Sequence, residues 1–187
     1  LVFNVEYSAR VFEIVLHAAF QSLSELQLID GYLSPLSQMR SANKKHKNIA
    51  DIEILFSKNG NLIEKAYDAK FGKTDLREEL EELSEKLVSH PDCKSAGFIC
   101  SSQPIISNEM KDRIVDIKDL HNLDISFYSF EEWVEEILIT IPDKMHLDFV
   151  KFWLNCLSGS LCQRRRDIAP IDEPCEAWVQ SLVKLLQ

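Results

Sequence analysis

Two runs rich in β-branched and aromatic residues, Ile49–Phe56 and Leu62–Lys70, flank the dipeptide Asn59-Gly60. Asn-Gly is the strongest short-range signal for a two-residue hairpin turn, because both central positions require positive φ. With Asn59 and Gly60 at the centre of the turn, Asp51 lies directly across from Asp68. Opposed residues carry Cβ atoms roughly 4.5–5.5 Å apart, close enough for two carboxylates to share a cation. Lys70 lies two residues beyond Asp68, so strand alternation puts it on the same face. One pairing thus gathers two acids and a lysine, and a one-residue slip would turn Asp51 to the opposite side.

The flanking sequence predicts what surrounds this hairpin. Val11, Ile14, Val15, Ala18, Ala19, Leu23 and Leu26 recur at helical spacing from Val5 to about Leu28, and Asp30-Gly31 ends that helix. Residues 31–48 read as a polar loop. Thr74 is the expected N-cap of a helix running to about Ser89, with Leu76, Leu80, Leu83 and Leu87 as its apolar stripe and Glu78 to Glu85 as its wet face. A buried strand is expected at 96–101, a helix around Met110–Leu120, and a further strand at 124–128. Ser129-Phe130-Glu131-Glu132 reads as a capping box. After Pro142 the pattern is helical, interrupted at Gly159, with a last helix over 174–186. The expectation is an α/β fold, a central mixed sheet flanked by helices. Residues 1–142 would form the core, and 143–187 a C-terminal helical extension packed on it.

Residues 66–74, A-Y-D-A-K-F-G-K-T, contain a second motif that competes for attention. Gly72-Lys73-Thr74 resembles the end of a phosphate-binding loop, but the frame requires a glycine where the chain has Tyr67. The carboxylate pair has a clearer chemical logic. Two like charges raise one another's pKa unless a cation separates them. A hard divalent ion such as Mg²⁺ prefers oxygen ligands, polarises phosphodiester oxygens and lowers the pKa of water. An ammonium beside it offsets charge that builds up during hydrolysis.

Asp51, a hairpin, then Asp68-Ala69-Lys70 resembles the PD-(D/E)XK nuclease superfamily, with Ala50-Asp51 where that family often has Pro-Asp. Arg10-Val11-Phe12-Glu13 before the motif and Ser129-Phe130-Glu131-Glu132 after the last strand resemble the FokI-type cleavage module of restriction endonucleases. The likeness covers roughly residues 8–139. It implies a restriction-endonuclease-like fold and Mg²⁺-dependent hydrolysis of DNA, with Mn²⁺ as a substitute. Asp51 and Asp68 would bind the metal, Lys70 would assist the water, and Glu13 is a candidate accessory acid. It also implies double-stranded DNA as partner, and a homodimer or a tethered recognition domain. Other expectations of comparable chemistry are an endonuclease subunit of a transposition or repair complex, and an interaction module that kept the fold without activity.

Several residues qualify this picture. Net charge is −9, whereas phosphate-tracking domains are usually basic. The candidates for DNA contact are therefore local: Lys44, Lys45 and Lys47 in the loop that also holds His46, and Lys73 beyond the strand. Arg164-Arg165-Arg166 is the densest positive run. Glu53, two positions from Asp51, is read as a solvated strand acid, with the metal-facing role as the alternative, and Gln103 is the best polar helper after the strand at 96–101. His146, Cys156, Cys162 and Cys175 lack the short Cys-x-x-Cys pairs of zinc sites. An odd count of five cysteines argues against a disulfide framework. No apolar run reaches the ~20 residues of a membrane span and no signal-peptide pattern opens the chain, so the expected setting is cytoplasmic and away from membranes.

Overall fold

A computed structural model describes residues 5–36, 48–162 and 174–187. Lys44, Lys45, His46, Lys47 and Arg164–Arg166 lie outside the described residues. The order is α1 (Ser8–Glu25), β1 (Tyr32–Leu33), β2 (Ile52–Leu55), β3 (Ile63–Lys70), α2 (Arg77–Leu87), β4 (Ser95–Cys100), α3 (Asn108–His121), β5 (Asp124–Ser129), α4 (Phe130–Thr140), α5 (His146–Cys162) and α6 (Cys175–Leu186). The five strands form one mixed sheet in sequence order. β1, β2 and β3 are antiparallel, and β3, β4 and β5 run parallel through α2 and α3. The expected α/β architecture, a mixed sheet between helices with C-terminal helices, is the one observed.

Strand alternation sorts the sheet into two apolar layers. Ile63, Ala66, Ala96 and Phe98 pack with Leu76, Leu80, Leu83 and Leu87 of α2 and with Met110 and Ile117 of α3. On the other face, Ile52, Ile54 and Ile99 pack with Phe12, Leu16 and Phe20 of α1 and Trp133 of α4. α5 and α6 lie on the far side of α1, where Leu157, Leu161, Trp178 and Leu182 meet Val11, Ile14 and Ala18. Trp153 and Trp178 donate to the carbonyls of Val15 and Glu6, which ties α5 to α1 and α6 to the turn just before it.

Four local expectations are corrected. β1 forms inside the stretch read as a loop; two residues are too few to show alternation. Its entry is at Gly31, φ +97°, where a Cβ would lie 2.7 Å from the Leu55 carbonyl oxygen. Thr74 does not cap α2: its carbonyl accepts from Ile105, and the helix begins at Arg77 without a side-chain cap. Gly159 does not interrupt α5, which continues to Cys162 because Leu157 and Leu161 on either side are anchored against α1. The hairpin turn is also not the tight Asn59-Gly60 form. Gly60 N–H donates to the Ser57 carbonyl, so Lys58 and Asn59 occupy the centre, and Leu55 pairs with Ile63. An irregularity between Ile54 and Leu55 then restores the expected register, with Ile54 opposite Lys65 and Ile52 opposite Tyr67. Two departures cancel, and the face of Asp68 is the expected one.

Gly97 in the middle of β4 tests the closeness of this sheet. A Cβ there would lie 2.8 Å from the Ser126 carbonyl oxygen and 3.3 Å from Tyr67 Cδ1. The first of these neighbours is backbone and has little room to retreat. Gly97→Ala is expected to destabilise the fold by about 2 kcal/mol, as overpacking does, measured as a lowered urea midpoint.

Candidate active site

The site forms where β2 begins and β3 ends. Ala66, Asp68 and Lys70 share the face that looks toward α2, while Tyr67 and Ala69 pack toward α1 and α4. Asp51 sits just before β2 and is held across the hairpin by its own carboxylate, whose Oδ2 accepts from the Ala69 N–H at 3.0 Å. The turn that presents it is pinned by Glu53. That side chain is only 7% exposed and accepts from the Ile49 N–H at 2.7 Å and from the Ala50 backbone. Glu53 is therefore a brace under Asp51, with Lys86 of α2 close behind it.

The Asp51 and Asp68 carboxyl groups lie close enough for each to act on the other's proton. Lys70 Nζ lies 2.6 Å from Asp68 Oδ2, with both side chains about one-fifth exposed (22% and 18%). Burial, then the charge of Asp68, the proximity of the two carboxyls and the charge of Glu13 push the Asp51 carboxyl up to about 9. Asp68 goes the other way: burial opposes its charge, but Lys70, the proton from Asp51 and Lys86 outweigh it and lower its pKa. Lys70 is raised, since the neighbouring carboxylates outweigh its burial. The site at neutral pH is thus a protonated Asp51, an ionised Asp68 and an ammonium in a row.

The remaining sequence candidates fall at different distances from this row. Glu13 projects from α1 in an ion pair with Arg10, itself 3% exposed, and its charge acts on Asp51. Gln103 turns away: its Nε2 donates to Glu132 Oε1 at 3.1 Å and so braces the α4 capping box, which is present as expected. Lys73 is engaged by Glu79 at 2.5 Å and by Glu78 at 3.6 Å. His146 is spent on the carbonyls of Leu138 and Ile141, and Cys175 is buried against α1, so the two do not converge.

Glu79 belongs to the site and was read as part of the wet face. Its side chain is 13% exposed, its Oε2 is buried without a partner, and its charge acts on Lys70 and Cys100. The signal was present, because Glu79 lies three residues after Leu76 and four before Leu83, on the apolar stripe itself. Cys100, fully buried beside Lys70 and Asp68, has its thiol pushed up to about 11, mainly by burial, and is no nucleophile.

Two carboxyl groups that must share a proton suit a small divalent cation, which would replace the proton and permit both to ionise. All available donors are oxygens, the preference of Mg²⁺ and Mn²⁺. Among the described residues no group of three or more His, Cys, Asp and Glu side chains is arranged around one ion position. A cation held by Asp51 and Asp68 would therefore keep several waters, as Mg²⁺ usually does. No helix among the described residues is long and apolar enough to cross a membrane. Compared with known proteins, the chain matches no protein family and no curated protein.

Proposed function

We propose that this domain is a metal-dependent endonuclease that hydrolyses DNA phosphodiester bonds. The observation that carries the reading is the row Asp51, Asp68, Lys70, in which Asp51 is held across the hairpin by the Ala69 N–H and the Lys70 ammonium lies 2.6 Å from Asp68. Asp51 and Asp68 would hold Mg²⁺ or Mn²⁺. When bound, such an ion supplies Lewis-acid polarisation of the phosphate and a more acidic water.

The chain's own residues do the rest. Asp51 would release its proton to solvent on binding an ion, and the Ala69 N–H keeps its carboxyl group oriented. Asp68, already 2.6 Å from Lys70, would be the second carboxylate to hold the ion. Lys70, charged at neutral pH and fixed by strand β3, then faces the phosphate and offsets the charge that develops on its oxygens. Glu53 braces the turn under Asp51, and the charge of Glu13, paired with buried Arg10, acts on Asp51 from α1. With a net charge of −9, the domain has weak intrinsic attraction for a polyanion. A recognition domain, partner subunit or second copy would supply the affinity, as in a restriction endonuclease.

Incubation with supercoiled plasmid at high protein concentration and low salt tests the reading. Nicking is expected with Mg²⁺ or Mn²⁺, lost with chelator, and reduced at least about a hundredfold in Lys70→Met, the scale of a removed electrostatic contributor. Cleavage that persists undiminished in both Asp68→Ala and Lys70→Met would remove the assignment.

A further inference from the structure

The segment that carries Lys70 and Lys73 is pinned by its backbone to the exit of β4. The Lys70 carbonyl accepts from the Ser101 N–H and the Gly72 N–H donates to Ser101 Oγ, both at 2.9 Å. The Thr74 carbonyl accepts from the Ile105 N–H. The chain turns at Gly72, φ +69°, and Lys73 comes back toward the start of α2. These bonds fix the backbone and leave two four-carbon side chains unfixed. Each needs an anion to hold its ammonium in one place.

Helix α2 supplies one anion that serves both. Glu79 sits among Leu76, Leu80 and Leu83 on the side of the helix that covers the sheet, the side toward which the Lys70 face looks. Its Oε1 lies 2.5 Å from Lys73 Nζ. Its Oε2 is buried and has no hydrogen-bond partner among the described residues. A buried carboxylate oxygen without a partner is costly unless a positive charge stands close by. Lys70 is that charge: Glu79 acts on it, and on Cys100, which pairs with Lys70 across β3 and β4. An ammonium has three donors, and Lys70 has one direct partner among the described residues, Asp68. Lys70 and Glu79 form no direct ion pair, so their attraction acts across the gap under α2. Both side chains are mostly buried there, and water screens the attraction little. Glu78, the other acid on Lys73, is 92% exposed at 3.6 Å and adds little.

We propose that Glu79 is a positioning residue: one carboxylate on α2 that holds Lys73 by contact and Lys70 by its field, and so fixes both cations beside the acidic row. The proposal rests on the nuclease reading above. Lys70 is thereby kept at the phosphate to be cleaved, while Lys73 is partly withheld from the rest of the strand. Glu79 favours turnover at the expense of affinity.

Two measurements test this, and the first needs neither metal nor DNA. Urea denaturation in EDTA of the parent, Glu79→Gln, Lys70→Met and the double variant forms a closed cycle. Glu79→Gln keeps the size of the side chain. It is expected to lower the midpoint clearly more in the parent than in Lys70→Met, where no ammonium remains to lose its counter-charge. Equal shifts in the two backgrounds would overturn the proposal. The second measurement pairs plasmid nicking in Mg²⁺ with duplex affinity in EDTA. Glu79→Gln should lower kcat about tenfold, as a misplaced catalytic group does. Its duplex Kd should fall about threefold as Lys73 is released to phosphate. A merely structural loss would weaken both. The tightening should vanish when Lys73→Gln is added. An unchanged kcat, or a tightening that persists with Lys73→Gln, would overturn the proposal. Absence of nicking by the parent beside an intact urea coupling would count against the nuclease reading and leave the hold of Glu79 on Lys70 established.

Discussion

Asp51→Asn is expected to raise the stability of the metal-free protein at pH 8 by about 2 kcal/mol while removing metal binding and cleavage. The native Asp51 carboxyl ionises at about 9, far above an unfolded aspartate near 3.9. Between those two values the folded chain holds a proton that the unfolded chain has released. Stability therefore falls as pH rises through the window, by at most about 1.4 kcal/mol for each pH unit. Sharing of the proton with Asp68 and residual solvent reduce the observable slope. An asparagine has no such proton to lose. Its oxygen can still accept from the Ala69 N–H, and its amide can donate to Asp68 as the protonated acid does. The variant should match the parent near pH 4 and exceed it progressively toward pH 8 in urea denaturation. A parallel pair of pH profiles would show that Asp51 is not held protonated by the fold.

The neighbouring acid should respond with the opposite sign. Asp68 is the ionised partner of Lys70, and its pKa is lowered, so its contribution is present above about pH 4 and is lost as pH falls through the folded value. Asp68→Asn leaves Lys70 with a weaker partner in a setting only one-fifth exposed, at a cost of about 1–3 kcal/mol at pH 7. Two acids that touch one another thus differ in what each does for the fold. Asp51 in its protonated state works against stability at neutral pH, which is the pattern expected of a group that serves ligand chemistry.

Much of this arrangement was legible in the sequence, and the exceptions have physical causes. The faces of Asp51, Asp68 and Lys70 follow from strand alternation, which depends on register alone. The turn itself was misread, because Asn59-Gly60 describes local preference while pairing along the strands is set by Ile52, Ile54, Ala66 and Tyr67 in two buried layers. The capping box at Ser129 was readable since all its bonds lie within four residues. Glu53 and Glu79 were not assigned correctly. A charged letter reads as solvent-exposed, and the partner that justifies its burial comes from the backbone of another turn or from another element. Gln103 was misdirected for the same reason, since Glu132 is 29 positions away and reaches it only through the parallel pairing of β4 with β5.

Divalent-metal affinity is expected to rise about tenfold for each pH unit between pH 6 and 8, the slope of one released proton. The cation and the shared proton compete for the same oxygens, because Asp51 and Asp68 cannot both ionise in contact without a positive charge between them. Below about pH 9 each binding event must therefore expel that proton. Lys70 does not provide it: its pKa is raised, and it stays charged across the whole range. Calorimetry with Mn²⁺ in two buffers of different ionisation enthalpy measures the proton directly, and the apparent enthalpies at pH 7 should differ by close to the full difference between the two buffers' ionisation enthalpies. Asp51→Asn should show no saturable binding at any pH in this range, since the ion loses one of its two carboxylates. A pH-independent affinity in the native chain would place the ion on groups other than this pair. A proton-linked affinity lost in Asp51→Asn ties metal binding, the raised carboxyl and the hairpin register to one cause.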